Sequence, residues 1–356
     1  MNIDRKLKVG ILGCGPIAQF AHLEACRKAK NVVLHSVCDA AADLAHRMGA
    51  YYQAKNIYTD YGQMLADPEL EAVIIATADA FHLPASTEAI KAGKHVMVEK
   101  PIGTDLKQAR DLKQLLQASG LTLQVGHMKR FDPGIEFARS FIQQEIGEMI
   151  AYKAWYGDST HRYDMTNSTQ PLPFLSTAAK KPLENPKADL KRYYMLAHGS
   201  HLVDTARFLA GPILSVRANL LERKGIYCWF VDTEFASGCN GHLDLTIAVR
   251  MDWHEGFQIY GEKGSVLGKI YNPWYFKTSE VLCFSEEDKT YRQPLDNKAH
   301  FYQRQLEAFA DTILNGTVQK GTDIYQGIES LQAMIAIAES VRQGKRVYLK
   351  DAEGPI

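Results

Sequence analysis

Over its first 127 residues the chain alternates short apolar runs with amphipathic stretches. Five runs rich in Val, Ile and Leu predict β-strands at residues 7–13, 32–39, 72–78, 95–99 and 121–126. Stretches with apolar residues at helical spacing lie between them, among them residues 17–28, 83–92 and 106–118. Strands that alternate with helices imply right-handed βαβ units and a parallel sheet. The sequence therefore predicts a doubly wound α/β domain over residues 1–127, with ligands at the carboxyl ends of its strands.

The pattern changes in the rest of the chain, residues 128–356. Helices are predicted at residues 134–145, 194–209, 301–314 and 324–342, and strands at 149–155 and throughout 213–291. A long polar insertion at residues 157–191 is typical of a functional loop or lid, or of disorder. We expect an α+β domain with a large, mainly antiparallel sheet, and the closing helices could pack back on the first domain.

Charge and composition exclude several classes of partner. Lys and Arg together number 41, as do Asp and Glu, so the zero net charge gives no long-range attraction for nucleic acid or an anionic membrane. No apolar run is long enough to cross a bilayer, and residues 1–8 lack the apolar stretch of a signal peptide. The six cysteines show no paired metal-ligand spacing. We therefore expect a cytoplasmic protein that holds no metal and has neither nucleic acid nor a membrane as its partner.

A glycine-rich turn joins the first predicted strand to the first helix. In Gly13-Cys14-Gly15-Pro16-Ile17-Ala18, the first glycine permits a tight turn, the second lets the backbone approach a pyrophosphate, and the alanine allows close packing. The helix N-terminus favours phosphate charge, and proline suits its first turn. Asp39 follows about 20 residues further on, at the end of the second strand, where a carboxylate binds ribose hydroxyls. This combination predicts a dinucleotide site.

The carboxylate of Asp39 also bears on which dinucleotide binds. A negative charge at this position repels a 2′-phosphate, and the neighbouring Ala40 offers no cation to accept one. We therefore expect NAD as the cofactor, with NADP the less favoured alternative.

A series of short motifs runs along nearly the whole chain. They are Ile75-Ala76-Thr77 with Phe81-His82, Gly93-Lys94-His95-Val96 with Glu99-Lys100-Pro101, Gly126-His127-Met128-Lys129-Arg130-Phe131, His201-Leu202-Val203-Asp204 with Leu209-Ala210-Gly211, Gln305 with Phe309, and Arg346-Val347. In this order they resemble the motifs of the glucose–fructose oxidoreductase/inositol dehydrogenase (Gfo/Idh/MocA) family. The resemblance implies a Rossmann domain followed by an α+β substrate domain, and an NAD-dependent oxidoreductase that acts on a sugar or cyclic polyol.

The resemblance also implies site residues. Lys100 and His201 would form the catalytic pair. The cofactor site would further include Ala76, Thr77, His82, Glu99 and Lys100. The chemistry agrees, because hydride transfer from an alcohol carbon leaves a hydroxyl proton that a histidine accepts near neutral pH. A neighbouring lysine stabilises the negative charge that develops on the same oxygen.

The sequence departs from the family pattern on the helix that carries His201. Many members have an Asp one turn before the catalytic histidine, where this chain has Ala197 with His198 beside it. Either another group orients His201, such as Asp204 or a backbone carbonyl, or His198 shares the proton transfer. Asp204 could also bind substrate. An ordinary polar position for His198 and a plain helix salt bridge for Asp204 are the structural alternatives.

Residues that contact substrate are less sharply defined by the sequence. Lys129 and Arg130 follow a strand and could reach the cleft. The aromatic residues that flank the insertion could stack on a sugar ring or pack in a core: Trp155, Tyr156, Tyr193 and Tyr194. Four polar residues of the insertion could bind hydroxyls or face solvent: Asp158, His161, Arg162 and Asp164. The side of the sheet that Trp253-His254 faces is left open.

Three functions are compatible with these features. The main hypothesis is an NAD-dependent dehydrogenase of a sugar, glycoside or cyclic polyol. A second is an enzyme that keeps its NAD and uses transient oxidation of a sugar for elimination, epimerisation or glycosidic cleavage. A third is a non-catalytic NAD-binding regulator, against which Lys100 and His201 argue. Because family members commonly cover the open sheet face by pairing subunits, we expect a homodimer or homotetramer.

Overall fold

The computed structural model describes residues 5–159, 170–179, 185–295 and 299–356, which divide into two compact units. The first comprises residues up to Met128 together with Leu172–Ala188 and Phe301–Ile328. The second comprises Lys129–Pro171, Asp189–His300 and Glu329–Ile356. No helix in the described ranges is long and apolar enough to cross a membrane. The insertion residues His161, Arg162 and Asp164 lie outside the described residues.

The helices are named in chain order. They are α1 (Leu23–Lys28, after a π-helical turn Ala18–His22), α2 (Ala42–Tyr51), α3 (Tyr61–Leu65), α4 (His82–Lys91), α5 (Leu106–Ser119), α6 (Pro133–Gln144), α7 (Leu190–Tyr194), α8 (Ser200–Ala210, after a π-helical turn Met195–Gly199), α9 (Phe301–Asn315) and α10 (Ile324–Gln343). Helix α5 illustrates why they form where they do. Asp105 accepts a hydrogen bond from the amide of Gln108 at its start, apolar residues recur on its buried face, and Gly120 ends it in a left-handed conformation.

A parallel sheet forms the centre of the first unit. Its strands are β1 (Leu7–Leu12), β2 (Val32–Cys38), β3 (Asn56–Tyr58), β4 (Ala72–Ile75), β5 (His95–Val98) and β6 (Leu123–Val125). In the described part of the chain they lie in the order β3-β2-β1-β4-β5-β6, which is the order of a dinucleotide-binding sheet. The predicted doubly wound fold is confirmed. Strand β3 has no counterpart among the predicted strands, because its three half-buried residues form no apolar run.

A segment from late in the chain completes the first unit. The side chain of Asn31 donates hydrogen bonds to the carbonyl of Glu307 (2.9 Å) and the carboxylate of Asp311 (2.8 Å), both on α9. Beyond this helix, the amide of Val125 donates to the carbonyl of Thr322 (2.8 Å), and the two residues form an antiparallel bridge. This bridge covers the outer side of the edge strand β6.

The second unit contains a mixed, mainly antiparallel sheet, as the sequence predicts. Its strands are β7 (Met149–Ser159), β8 (Ile213–Arg223), β9 (Ile226–Phe235), β10 (Asn240–Val249), β11 (His254–Gly261), β12 (Gly264–Ile270), β13 (Glu280–Ser285), β14 (Thr290–Arg292) and β15 (Val347–Tyr348). Their order in the described residues is β14-β13-β12-β11-β7-β10-β9-β8-β15, and β7 and β10 pair in parallel. The long strand β7 therefore lies in the middle of the sheet.

The two faces of β7 have different environments. Tyr152, Ala154, Tyr156 and Asp158 are buried on the face against which α8 packs. The opposite face is more exposed and carries large side chains that cross-strand register brings together: Trp155, Phe230, Tyr260 and Leu267. The expected pairing of subunits over this face stays a prediction.

One buried carboxylate holds the start of α6. Asp132 caps the helix by accepting from the amide of Gly134 (2.8 Å). It also accepts from the amide (3.1 Å) and hydroxyl (2.6 Å) of Ser279. A Cβ at Gly134 would lie 2.3 Å from the carbonyl oxygen of Ser279, so only glycine allows this close approach. The turn Met128–Phe131, which carries Lys129 and Arg130, directly precedes this anchored residue.

We expect Asp132→Ala to lower the free energy of unfolding by about 2–3 kcal/mol, because it leaves several buried donors without an acceptor. Asp105→Ala removes an exposed cap of the same chemistry and should cost about 1 kcal/mol. Urea denaturation followed by circular dichroism compares the two. Equal losses would contradict a special role for the buried carboxylate.

Candidate active site

A cleft of about 650 Å³ opens at the carboxyl ends of β1 and β4, the point where the strand order reverses. Seven residues predicted to bind the cofactor line it: Gly13, Gly15, Pro16, Ile17, Asp39, Ala76 and Thr77. Ala18 is fully buried in the helical segment that follows the turn. His82, Glu99 and Lys100 are not among the described residues that line this cleft.

The two glycines of the turn are needed for different reasons. Gly13 has φ +93°, and a Cβ there would lie 2.8 Å from the carbonyl oxygen of Ala76 at the end of β4. A Cβ at Gly15 would meet nothing within 4 Å. The backbone of the protein therefore requires glycine at position 13. At position 15, by contrast, glycine leaves room for a ligand to approach, which fits a pyrophosphate.

Backbone amides hold the carboxylate of Asp39 in place beside the cleft. One oxygen accepts from the amide of Cys14 (2.8 Å), within the glycine turn, and the other accepts from the amide of Ala41 (2.8 Å). The carboxylate is half-buried and lines the cleft next to Ala40. Its position fits a group that accepts hydrogen bonds from ribose hydroxyls.

Gln19, which sequence reasoning did not single out, ties part of the insertion to the glycine turn. Its amide oxygen accepts from the amide of Phe174 (2.9 Å), and its amide nitrogen donates to the carbonyls of Phe174 (2.9 Å) and Cys14 (2.8 Å). Five residues further on, Ala179 lines the cofactor cleft. We name residues 172–179 the clasp.

Helix α2 holds the clasp at two further points. The guanidinium of Arg47 lies 4.0 Å from the ring centroid of Phe174, and Ser176 donates to the carboxylate of Asp43 (2.7 Å). The clasp therefore packs against the same elements that surround Asp39. No local sequence signal indicates these contacts, because the partners are more than a hundred residues apart.

His82 joins two loops of the first unit. One ring nitrogen lies 2.7 Å from the carbonyl oxygen of Pro101 and the other lies 3.1 Å from that of Thr77. The peptide bond between Lys100 and Pro101 is cis. The buried imidazole thus fixes the loop that carries Lys100 against the loop that follows β4.

Glu99 contacts the other side of the Lys100 loop. Its carboxylate is paired with Nε2 of His22 (2.8 Å) and accepts from the amide of Lys100 (3.1 Å). Burial alone would raise the pKa of Glu99. The hydrogen bond from His22, together with electrostatic interactions with His22 and Lys100, outweighs that effect and lowers the pKa of Glu99 below its ordinary value. His82 and Glu99 therefore act on the position of Lys100 rather than on the wall of the cleft.

Several residues predicted for catalysis and substrate binding surround Tyr156 in the second unit. The ring of His201 is nearly parallel to that of Tyr156, at 6° and 6.4 Å between centroids. The Tyr156 hydroxyl lies 3.2 Å from Nδ1 of His198, and the ammonium of Lys129 lies 4.7 Å from the ring centroid. The structure therefore brings the two histidines and Lys129 around one aromatic ring.

The charged group of Lys129 is balanced by a buried partner. It forms an ion pair with Glu255 at the start of β11. Burial raises the pKa of Glu255, although the charge of Lys129 acts in the opposite direction. Trp253 packs against the same tyrosine, with its ring centroid 5.0 Å from that of Tyr156.

The opposite face of the sheet holds one of the other aromatic candidates. Trp155 stacks on His254 at 5.6 Å between centroids. Because successive side chains of a strand point to opposite faces, Trp155 and Tyr156 do not line one site. The side chains of Trp253 and His254 also point to opposite sides of the sheet. Trp253 lies on the side of Tyr156 and the two histidines, and His254 lies on the side of Trp155.

Arg130 and Asp204 bind each other. The guanidinium donates from Nε (2.9 Å) and Nη2 (2.7 Å) to the two carboxylate oxygens of Asp204, and both side chains are buried. The salt bridge of Asp204 therefore joins its helix to the turn Met128–Phe131 and is not formed within the helix. Tyr193 packs against Tyr194, and Tyr194 is the one whose ring contacts His198, at 5.8 Å between centroids.

A carboxylate does reach the histidine segment, from a position that the sequence did not single out for this role. Oδ2 of Asp158, near the end of β7, lies 3.2 Å from Nδ1 of His198, and both side chains are buried. The side chain thus belongs to the sheet and not to the helix that carries Ala197.

A cluster with metal-ligand chemistry lies elsewhere in the first unit, at His35, Asp67 and Glu69. Asp67 is paired with Nε2 of His35 (2.8 Å), and Glu69 is paired with Lys8 and Lys55. These partners within the protein balance both carboxylates, so the cluster is explained without an ion.

The strand order and the glycine turn define a dinucleotide-binding protein of the Rossmann class. The chain belongs to the Gfo/Idh/MocA oxidoreductase family. Residues 7–127 match the family's NAD-binding Rossmann fold and residues 194–349 match its C-terminal alpha/beta domain, which together exceed half of the chain.

Relatives cover the chain almost completely but at low identity. The scyllo-inositol 2-dehydrogenase (NAD(+)) of Bacillus subtilis is 23% identical over 98% of this chain and 97% of its own length. A levoglucosan dehydrogenase in complex with NADH has a TM-score of 0.81 at 19% identity, over 97% of this chain and 99% of that one. A protein from Desulfitobacterium hafniense, provisionally named an NADPH-dependent oxidoreductase, has a TM-score of 0.82 at 20% identity, over 98% and 99%. At these identities the solved structures show the shared fold.

We expect Gln19→Ala to release the clasp, because it removes the paired hydrogen bonds with Phe174. Amide exchange measured by mass spectrometry should become faster over residues 172–179 while the strands of the parallel sheet keep their protection. Gln114→Ala, at an exposed position of α5, is the matched control. Unchanged exchange in the clasp would show that other contacts hold it.

Proposed function

We propose that this protein is an NAD-dependent dehydrogenase that transfers a hydride between the CH–OH carbon of a sugar, glycoside or cyclic polyol and the nicotinamide ring. The observation that carries the proposal is the cleft of the first unit, where the space beside Gly15 is open and the carboxylate of Asp39 is held at the wall. The names of the relatives support the substrate class, since they concern inositol and levoglucosan.

The residues divide the chemistry as follows. NAD, when bound, supplies the hydride acceptor. On the resemblance we assign Lys100 and His201 to the reacting oxygen, with Lys100 as the group that stabilises the negative charge developing there. A histidine of the segment 195–204 accepts the hydroxyl proton, and the resemblance favours His201. One alcohol and one NAD⁺ thus give one carbonyl, one NADH and one proton.

The proposed preference for NAD over NADP rests on one carboxylate. We expect Asp39→Ser to raise the affinity for NADP relative to NAD about tenfold, equivalent to about 1.4 kcal/mol, because it removes the charge that repels a 2′-phosphate. Titrations of both dinucleotides by calorimetry give the ratio of dissociation constants. The ratio is the informative quantity, since Asp39 also accepts hydrogen bonds from the turn.

Asp60→Asn is the matched control for this experiment, because Asp60 is a second carboxylate that lines the same cleft. It should leave the ratio unchanged. A wild type that binds both dinucleotides equally would contradict the assignment to Asp39.

The activity itself is tested with purified protein, NAD and a panel of polyols and sugars, by following the absorbance of reduced nicotinamide. Accumulation of NADH supports a dehydrogenase. Sugar product without net NADH would indicate an enzyme that returns the hydride. Tight NAD binding with no turnover of any compound would indicate a regulator.

On a substrate that is oxidised, Lys100→Met should lower kcat about 100-fold or more, since one charge-stabilising group is lost from the transition state. Lys91→Met, at an exposed position on α4, should retain the wild-type rate. Full activity of the Lys100 variant would exclude the proposed role of this residue.

A further inference from the structure

A buried carboxylate–imidazole pair lies in the second unit where the family pattern provides none. Oδ2 of Asp158 lies 3.2 Å from Nδ1 of His198, and the side chains are 4% and 8% exposed. Asp158 lies at the end of β7, and His198 lies on the π-helical turn that leads into α8. Because α8 packs on β7, two elements of regular structure hold the pair together.

The pairing selects one tautomer of His198. An ionised carboxylate can only accept hydrogen bonds, so the ring nitrogen that faces it must carry the proton. In the neutral imidazole a proton on Nδ1 leaves Nε2 with a lone pair. A second proton taken up at Nε2 then gives an imidazolium beside a carboxylate, which their Coulomb attraction stabilises in a site with little water.

Among the described residues, two tyrosines and one ion pair lie near these two side chains. Tyr156 places its hydroxyl 3.2 Å from the same Nδ1, and the ring of Tyr194 lies 5.8 Å from that of His198 between centroids. A phenol hydroxyl can donate or accept, so it is compatible with a proton on Nδ1, whereas an ionised carboxylate requires one there. The nearby charges of Lys129 and Glu255 are paired with each other. Of the carboxylates in the described residues, Asp158 is the one within ion-pair distance of His198.

The pair also lies next to the residue that the resemblance assigns to catalysis. The ring of Tyr156 is parallel to that of His201 on one side, and its hydroxyl reaches His198. Position 197 lacks the family's carboxylate, but the adjacent strand β7 supplies one, Asp158. This carboxylate contacts His198.

We propose that Asp158 positions His198 as the proton acceptor of the reaction, which makes His198 a catalytic residue and Asp158 a positioning residue. This role rests on the proposed function. As the hydride leaves the alcohol carbon for the nicotinamide, the hydroxyl proton passes to Nε2 of His198 and from there to solvent. The alcohol is oxidised to a carbonyl, and NAD⁺ is reduced. His201 then serves as a hydrogen-bond partner of the substrate.

Kinetics of variants over a range of pH test the role. His198→Gln should lower kcat about 100-fold or more, as expected for the loss of a general base. Asp158→Asn should lower kcat and move the acidic limb of kcat/KM down by about 1 pH unit, because the imidazolium loses its partner. The double variant should be no slower than His198→Gln, since Asp158 acts only through that histidine.

A second Asp–His pair on the same sheet provides the control. Asp232 and His242 lie 2.9 Å apart on the exposed face, with side chains 62% and 44% exposed. Asp232→Asn should leave kcat and the pH profile as in the wild type. An Asp158→Asn enzyme with the wild-type pH profile would overturn the proposal, as would a His198→Gln enzyme of full activity.

A spectroscopic measurement separates this inference from the proposed function. In protein labelled with ¹⁵N-histidine, His198 should carry its proton on Nδ1, and Asp158→Asn should shift the balance towards Nε2. A wild-type His198 protonated on Nε2 overturns the pair whatever the activity. If the tautomer is as expected and no alcohol is oxidised, the pair exists but the proposed function fails, and the assigned role fails with it.

Discussion

The carboxyl ends of β1 and β4 separate because their connections leave the sheet on opposite faces, and the first unit depends on how the chain passes through that gap. The chain turns there at Gly13, where any side chain would collide with the carbonyl of Ala76. The same turn supplies the amide that holds Asp39 and the carbonyl that binds Gln19. One tight turn therefore sets the open space of the cleft, the carboxylate at its wall and the anchor of the clasp.

The second unit solves a different problem, which is to keep ionisable groups in fixed positions away from water. Its candidate site contains three buried acid–base pairs, Lys129–Glu255, Arg130–Asp204 and Asp158–His198. Removing one partner of such a pair leaves an uncompensated buried charge, which is costly. Separating the two partners would therefore cost free energy beyond the loss of packing contacts, which keeps both side chains in position. Here it fixes the lysine and one of the two histidines around the ring of Tyr156.

Much of this architecture could be predicted because it depends on local patterns. Alternating apolar runs indicate the parallel sheet, and the glycine turn with Asp39 indicates its ligand edge. The alternation of side chains along a strand also predicts that Trp155 and Tyr156 point to opposite faces of the sheet. The pairing of Asp158 with His198 and of Gln19 with Phe174 could not be predicted in this way. Those residues are far apart in sequence, and only the packing of whole elements brings them together.

The bridge between Val125 and Thr322 has a consequence for the order in which the protein takes shape. On the ribosome, β6 emerges early with one side unpaired, and the residues that cover it follow only after strands β7–β14 of the second unit have been made. A free strand edge is a template for association with other chains. The first unit therefore reaches its closed form only late in synthesis, and during that interval the nascent chain carries the exposed edge that makes incomplete α/β domains prone to aggregate.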